Sequence, residues 1–439
     1  MQALHVFPIF GSDLPGGSQV YEFHLSRALV RRGVGVRALA TRSRGFHPVS
    51  AFTLDWPDEV GDAGARTTED GVEVLRFPGP PRIPAFAGHA ASARVLRRWE
   101  REDRAARMLE GSIRLPDHRI LTALERPRRY DVIVDRGRGP LSRPLLRAVE
   151  RELDGAGVVL TGFVPFGLVP RVVELCRRRG KPVVVLALFH PHDPYHYFAS
   201  TLEALRRADA VLLQTDYAGA LLERRLPGLR GVVVGAGVEP DEIAAAEVDG
   251  RRFRQRHGLG DAPLLLHVGR KEPGKRWGEA VEAIRRVRSA GARLALVGRD
   301  VDREPVAADR ALVLGERPRA EVLDAYDACD ALVLPSHHES FGIVLLEAWM
   351  RGKPVLASRG CGPVASIVED GADGFLCDGP SDYASAFDRL IADPALARRM
   401  GERGRAKVLA RYTWDGIAGR VHALYEELAG RAAAVPAAG

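Results

Sequence analysis

PSHHESFGIVLLEAWMRGKPV, residues 335–355, places Glu339 eight residues before Glu347 across an apolar segment that contains one glycine. An apolar run, ALVL at 331–334, precedes it, and another, VLA at 355–357, follows. That is the order strand, loop, helix, strand, one unit of a parallel α/β sheet. In such sheets ligands sit beyond the carboxyl ends of the strands, against helix N-termini. The loop 339–342 falls at that place. The pattern therefore predicts a seat for a phosphate-bearing ligand with two carboxylates near it.

Strand-like runs recur on either side of this unit, at 264–268, 294–297 and 311–314, with helical periodicity at 277–289 and 319–329 between them. A polar stretch, 239–261, separates this series from an earlier one. The earlier series opens with a strand at 3–10, a loop holding Gly16 and Gly17, an amphipathic helix at 20–32 and a strand at 34–40. It resumes with strands at 131–134, 158–160, 183–188, 210–213 and 232–234. Residues 41–129, rich in Pro, Gly and Arg, read as irregular. The prediction is α/β: two doubly wound, Rossmann-like domains, 1–240 and 241–413, with a last amphipathic helix over about 414–430. The final AAAVPAAG reads as a disordered tail.

The composition agrees with two globular domains. The chain has 439 residues, 46% hydrophobic and 28% charged, enough for two cores. No apolar run reaches the eighteen or so residues that span a bilayer. The N-terminus lacks a basic leader and a cleavage site, and the four cysteines, Cys176, Cys329, Cys361 and Cys377, show no metal spacing. They read as buried thiols in a reducing cytoplasm. Net charge is +7, and residues 94–129 alone hold eleven arginines against six acidic residues. That stretch is either a basic amphipathic surface for an anionic membrane or acidic acceptor, at the inner membrane face, or a solvated helix. No reader motif accompanies the charge, so nucleic acid is not expected as a partner.

Three further places carry chemistry. Arg270 and Lys275 follow the strand 264–268 and put two cations over one strand end, which suits a diphosphate. Gly16 and Gly17 let the backbone approach a phosphate or sugar, without the spacing of a Walker or dinucleotide motif. His190, His192 and His196 cluster in HPHDPYHYF, 190–198. Two prolines there oppose a helix that would align the three rings, so a strand-end histidine facing a cleft is preferred to a metal site. No G-x-S-x-G elbow or kinase glycine loop is present.

Taken together, ESFGIVLLE, GRKEPGK and the Gly-Gly loop resemble the retaining glycosyltransferases of the large family-four type, glycosyl transferases group 1. VGAGVEP at 234–240 resembles that family's inter-domain segment, EDGADGFL at 369–376 its DG-x-x-G segment, and YTWDGIAGRVHALYEEL at 412–428 its terminal helix. The resemblance is strong over the second half and weaker over the first. It implies the GT-B fold: two Rossmann-like domains facing across a cleft, an acceptor domain first, a donor domain second, and a terminal helix crossing back. It implies a hexosyltransferase that takes a hexose from a nucleoside-diphosphate sugar, UDP ahead of GDP, to an acceptor hydroxyl, with no metal and no cofactor. Arg270 and Lys275 would bind the diphosphate, and Glu347 would accept hydrogen bonds from the ribose. Glu339 would contact the donor sugar, and the backbone of Phe341, Gly342, Ile343 and Val344 would face sugar and phosphate. His190 would orient the reacting sugar, and Gly16 and Gly17 would lie against the diphosphate. The acceptor would be a lipid-linked glycan or a small metabolite. One departure is GCGPVASIV at 360–368, where Ser366 stands nearest a glutamate of many relatives. The alternatives are a GT-B epimerase or phosphorylase and a silent binding subunit. No phosphorylase lysine context is found, and the presence of Arg270, Lys275, Glu339 and Glu347 argues against silence.

Overall fold

The computed structural model describes residues 1–12, 21–43, 65–79, 94, 139, 141–191, 194–244, 247–306 and 309–434. The chain divides into two compact units. The first takes Met1–Gln214, Ala218–Val234 and Ala418–Gly439; the second takes Thr215–Tyr217 and Gly235–Ile417.

The strands of the first unit are β1 Gln2–Val6, β2 Gly35–Thr41, β3 Ala65–Glu69, β4 Val72–Phe77, β5 Val158–Gly162, β6 Val183–Leu186, β7 Ala210–Leu213 and β8 Gly231–Val233. They lie in the order β3-β4-β2-β1-β5-β6-β7-β8. β3 runs antiparallel to β4, and the other pairings are parallel. Helices α1 Tyr21–Arg31, α2 Arg143–Glu152, α3 Leu168–Arg178, α4 Ala199–Arg207 and α5 Asp216–Arg225 follow in the chain. β5, β6 and β7 are buried along their whole lengths, which is why they read as unbroken apolar runs. Their side chains pack with Val169, Val172 and Leu202 in one core.

The hairpin β3–β4 corrects the reading of 41–129 as irregular. Residues 65–77 form two paired strands around Asp70 and Gly71, which both have positive φ, 47° and 82°. That is the signature of a two-residue turn matched to strand twist, and the Asp-Gly pair announces it in the sequence. The strand read at 131–134 and the basic stretch beyond Arg94 lie outside the described residues.

In the second unit come α6 Pro240–Ile243, α7 Gly250–Arg256, β9 Leu264–Val268, α8 Trp277–Arg286, β10 Arg293–Val297 and β11 Ala311–Gly315. There follow α9 Arg319–Ala328, β12 Ala331–Leu334, α10 Ile343–Met350, β13 Val355–Ser358, α11 Gly362–Ala365 and β14 Gly374–Cys377. α12 Pro380–Ala392, α13 Pro394–Arg411 and α14 Trp414–Ala434 complete the chain. The sheet order is β11-β10-β9-β12-β13-β14, all parallel. From β9 the chain winds outward through β10 and β11, then returns to β12 on the other side. The carboxyl ends of β9 and β12 therefore flank a topological switch point, where α/β sheets open a crevice for ligands. Both α/β sheets are doubly wound, as the alternation of apolar runs and helical patterns predicts.

Most of α14 belongs to the first unit. Tyr425 there lies 3.2 Å from His5 Nε2 on β1, and His5 Nδ1 lies 2.7 Å from Ser26 Oγ on α1. All three residues are buried, and burial brings the His5 pKa down to about 3, so the link works through a neutral ring. Among the described residues no helix is long and apolar enough to cross a membrane. All four cysteines are free and buried.

Candidate functional site

The site assembles from two loops that leave the sheet at the switch point. The first follows β9. Gly298, at φ 141°, lies so close to it that a Cβ there would stand 2.0 Å from the Gly269 carbonyl oxygen, so only glycine fits. Lys271 then turns inward. Its ammonium reaches Asp300 at 3.0 Å, bonds Asp302, and lies 4.4 Å from the centre of the Trp277 ring. Burial works against that charge, but the bonds to Asp302 and Asp300 raise the lysine pKa overall. Lys271 thus fastens the β9 loop to the β10 loop. A short turn, Pro273–Lys275, closes on Arg276 in the left-handed region, φ 46°.

The second loop follows β12. The amides of His337 and His338 both donate to the Gly274 carbonyl, at 3.0 and 3.2 Å, which ties the two loops together. Across this junction Lys275 Nζ donates to Glu339 Oε1 at 2.6 Å, and both side chains are mostly buried. Gly342, at φ 100°, caps α10 with no side-chain bond. A helix leaves its first amides to outside acceptors and carries positive potential at that end. Phe341 is buried, with its ring 5.5 Å edge-on from Tyr412, while Ile343 and Val344 are half-buried. Glu347 lies one turn into α10 and is 8% exposed, as Glu339 is. Arg319 Nη1 lies 2.5 Å from its Oε1, and the Tyr326 hydroxyl 2.5 Å from its Oε2.

The structure therefore brings Lys275, Glu339, the start of α10 and Glu347 into one unit. Arg270 stays on the β9 loop, 61% exposed, with Glu272 at 3.1 Å. The partner that Lys275 meets is a carboxylate, that of Glu339.

Two further buried polar residues lie at the switch point. His267, on β9, is buried, and its Nδ1 lies 3.1 Å from the Val333 carbonyl. A carbonyl only accepts, so Nδ1 carries the proton and Nε2 is a bare acceptor. Among the described residues Nε2 has no hydrogen-bond partner, and it is buried. Burial brings the His267 pKa down to about 4, with further lowering by Lys275, so the ring is neutral at pH 7. Ser336, just past β12, is fully buried, and among the described residues its hydroxyl has no partner. Only a histidine amid the apolar run LLLHV could have hinted at the first. Ser366 donates to the Pro363 carbonyl at 2.7 Å, so its hydroxyl serves α11.

His190 lies in the first unit, beyond β6. It is half-buried, and its amide lies 3.4 Å from His196 Nδ1. The buried His196 ring packs edge-on to Phe189, and the Tyr197 hydroxyl donates to the Pro191 carbonyl at 2.7 Å. His196 thus shapes the turn that presents His190. Gly16, Gly17 and His192 lie outside the described residues. Among the described residues no group of three His, Cys, Asp or Glu side chains could hold a metal ion.

Residues 249–407 match the family model described as Glycosyl transferases group 1. The chain has the GT-B fold. Sucrose-phosphate synthase from Thermosynechococcus elongatus superposes with a TM-score of 0.68 at 19% identity, covering 98% of this chain and 100% of that one. A D-inositol 3-phosphate glycosyltransferase of Corynebacterium jeikeium is 43% identical over 118 residues. That match spans 26% of this chain and only 27% of the relative. An alpha-D-kanosaminyltransferase of Streptomyces kanamyceticus is 29% identical over 315 residues, 67% of this chain and 80% of the relative.

Proposed function

We propose that this chain is a retaining glycosyltransferase that moves a hexose from a nucleoside-diphosphate sugar, UDP ahead of GDP, to an acceptor hydroxyl without a metal. The observation that carries the reading is the Lys275–Glu339 pair, 2.6 Å long, set beside the N-terminus of α10 at the switch point of the second sheet. Sugar transfer builds negative charge on the departing diphosphate. A lysine and a helix terminus fixed in advance stabilise that charge in the transition state. In this reading Lys275 and Arg270 take the diphosphate, and the amides from Phe341 to Val344 take its remaining oxygens. Glu339 accepts from hydroxyls of the sugar, and Glu347 accepts from the ribose. The departing phosphate takes the acceptor proton on the face it leaves, which conserves the anomeric configuration.

The relatives' names put an inositol phosphate among the acceptors to test and the amino sugar kanosamine among the donors. The basic stretch 94–129 favours an acceptor at an anionic membrane. Co-sedimentation with anionic vesicles at low but not high salt would support that, because salt screens such contacts. The function is tested by incubating a panel of nucleoside-diphosphate α-hexoses with these acceptors and reading the product anomer by NMR. An α-linked product supports the proposal, and a β-linked product overturns retention.

A further inference from the structure

Glu347 is gripped from two sides by one helix. Arg319 and Tyr326 stand seven residues apart on α9, two turns, and so share a face. The guanidinium takes one carboxylate oxygen and the phenol hydroxyl the other, each at 2.5 Å. Tyr326 is fully buried, and Arg319 is steadied from behind by Glu242 at 2.9 Å. Burial, and then Glu347 itself, raise the Tyr326 pKa well above its usual range, so the phenol keeps its proton and stays a donor. Each carboxylate oxygen has two acceptor positions. One on each is taken by α9, which leaves one on each for a ligand.

We propose that Tyr326 and Arg319 are positioning residues that fix Glu347 so that its two remaining acceptor positions read the neighbouring hydroxyls of a ribose. The inference rests on the donor-site reading above. It deepens that reading to a substrate class: ribonucleotide donors are taken over 2′-deoxyribonucleotide donors, because loss of one hydroxyl strands a buried acceptor.

The test is isothermal titration of UDP, GDP and ADP and of their 2′-deoxy counterparts. Wild type, Tyr326→Phe, Arg319→Gln and Glu347→Ala are compared. Wild type is expected to prefer the ribonucleotide about 10-fold or more, a loss typical of one charge-assisted hydrogen bond. Tyr326→Phe removes only the hydroxyl and is expected to cut that preference to within about threefold, and Arg319→Gln to lower it in the same sense. A merely structural role would weaken both nucleotides alike and leave the preference intact, and that result overturns the inference. Arg319→Gln keeps the test decisive should Tyr326→Phe not fold. If Glu347→Ala abolishes the preference while Tyr326→Phe and Arg319→Gln keep it, positioning alone is wrong. If Glu347→Ala binds every nucleotide as wild type does, or wild type binds none, the donor-site reading falls as well.

Discussion

Lys275→Met removes one charge and keeps most of the side-chain stem. In the native protein Lys275 and Glu339 side chains are 17% and 11% exposed, with 2.6 Å between nitrogen and oxygen. At an effective dielectric constant of about 20 the attraction at that distance is about 6 kcal/mol before desolvation, which takes back most of it. Exposed pairs contribute up to about 1 kcal/mol, and breaking fully buried ones costs about 3–5 kcal/mol. This mostly buried pair should lie between, near 2 kcal/mol. In a unit of this size that is a fall of about 4–8 °C in unfolding temperature. The assay is urea denaturation of wild type, Lys275→Met, Glu339→Gln and the double variant. A coupling energy of about 1–2 kcal/mol is expected, since the two residues touch. With saturating donor, turnover should fall about 10²–10³-fold, the usual loss when one preorganised group facing the leaving charge is removed. Turnover at the wild-type rate would refute the role assigned to Lys275, whatever the stability data show.

Gly342→Ala places a Cβ 3.1 Å from Leu334 Cδ2 in a left-handed conformation, φ 100°, and should cost about 1–2 kcal/mol in urea denaturation, with weaker donor binding as the start of α10 shifts. His267 sets a pH dependence. Its native pKa is held near 4, below the ordinary 6.5, so the stability of its neutral form is complete above about pH 6.5 and is lost as pH falls towards 4. The slope reaches about 1.4 kcal/mol per pH unit, and His267→Phe should remove that slope from stability curves between pH 7 and 4, whereas parallel curves would contradict it. Chelation with EDTA should leave donor turnover unchanged, because Lys275, Arg270 and the α10 amides supply the positive charge; loss of turnover restored by magnesium would count against the proposal.

Much of the second unit could be read from the sequence because parallel strands buried on both faces announce themselves. LLLHV, ALVL and VLAS are short apolar runs between helical patterns, and their order fixes a switch point. Glu339, Lys275 and the glycine at the start of α10 follow from that order. Which charges meet was not legible. GRKEPGK offers Arg270, Lys271 and Lys275 alike, and only the approach of the β10 loop buries Lys271 against Asp300 and Asp302. Tyr326 and Arg319 carry no signal in the sequence, because their contacts with Glu347 depend on how α9 lies against α10. His267 falls within the apolar run LLLHV, and nothing local tells an orphaned imidazole from a satisfied one. The β3–β4 hairpin was legible in Asp70-Gly71, but the composition around it masked that signal.

The most direct test is thermal unfolding of wild type and Glu347→Ala with UDP, GDP, ADP and TDP. A nucleotide at about 100 times its dissociation constant adds about 2.7 kcal/mol, which here is a rise of about 5–10 °C. The account predicts that rise with UDP in wild type and its loss in Glu347→Ala. No rise with any of the four nucleotides would contradict a nucleotide-sugar site between Lys275 and Glu347.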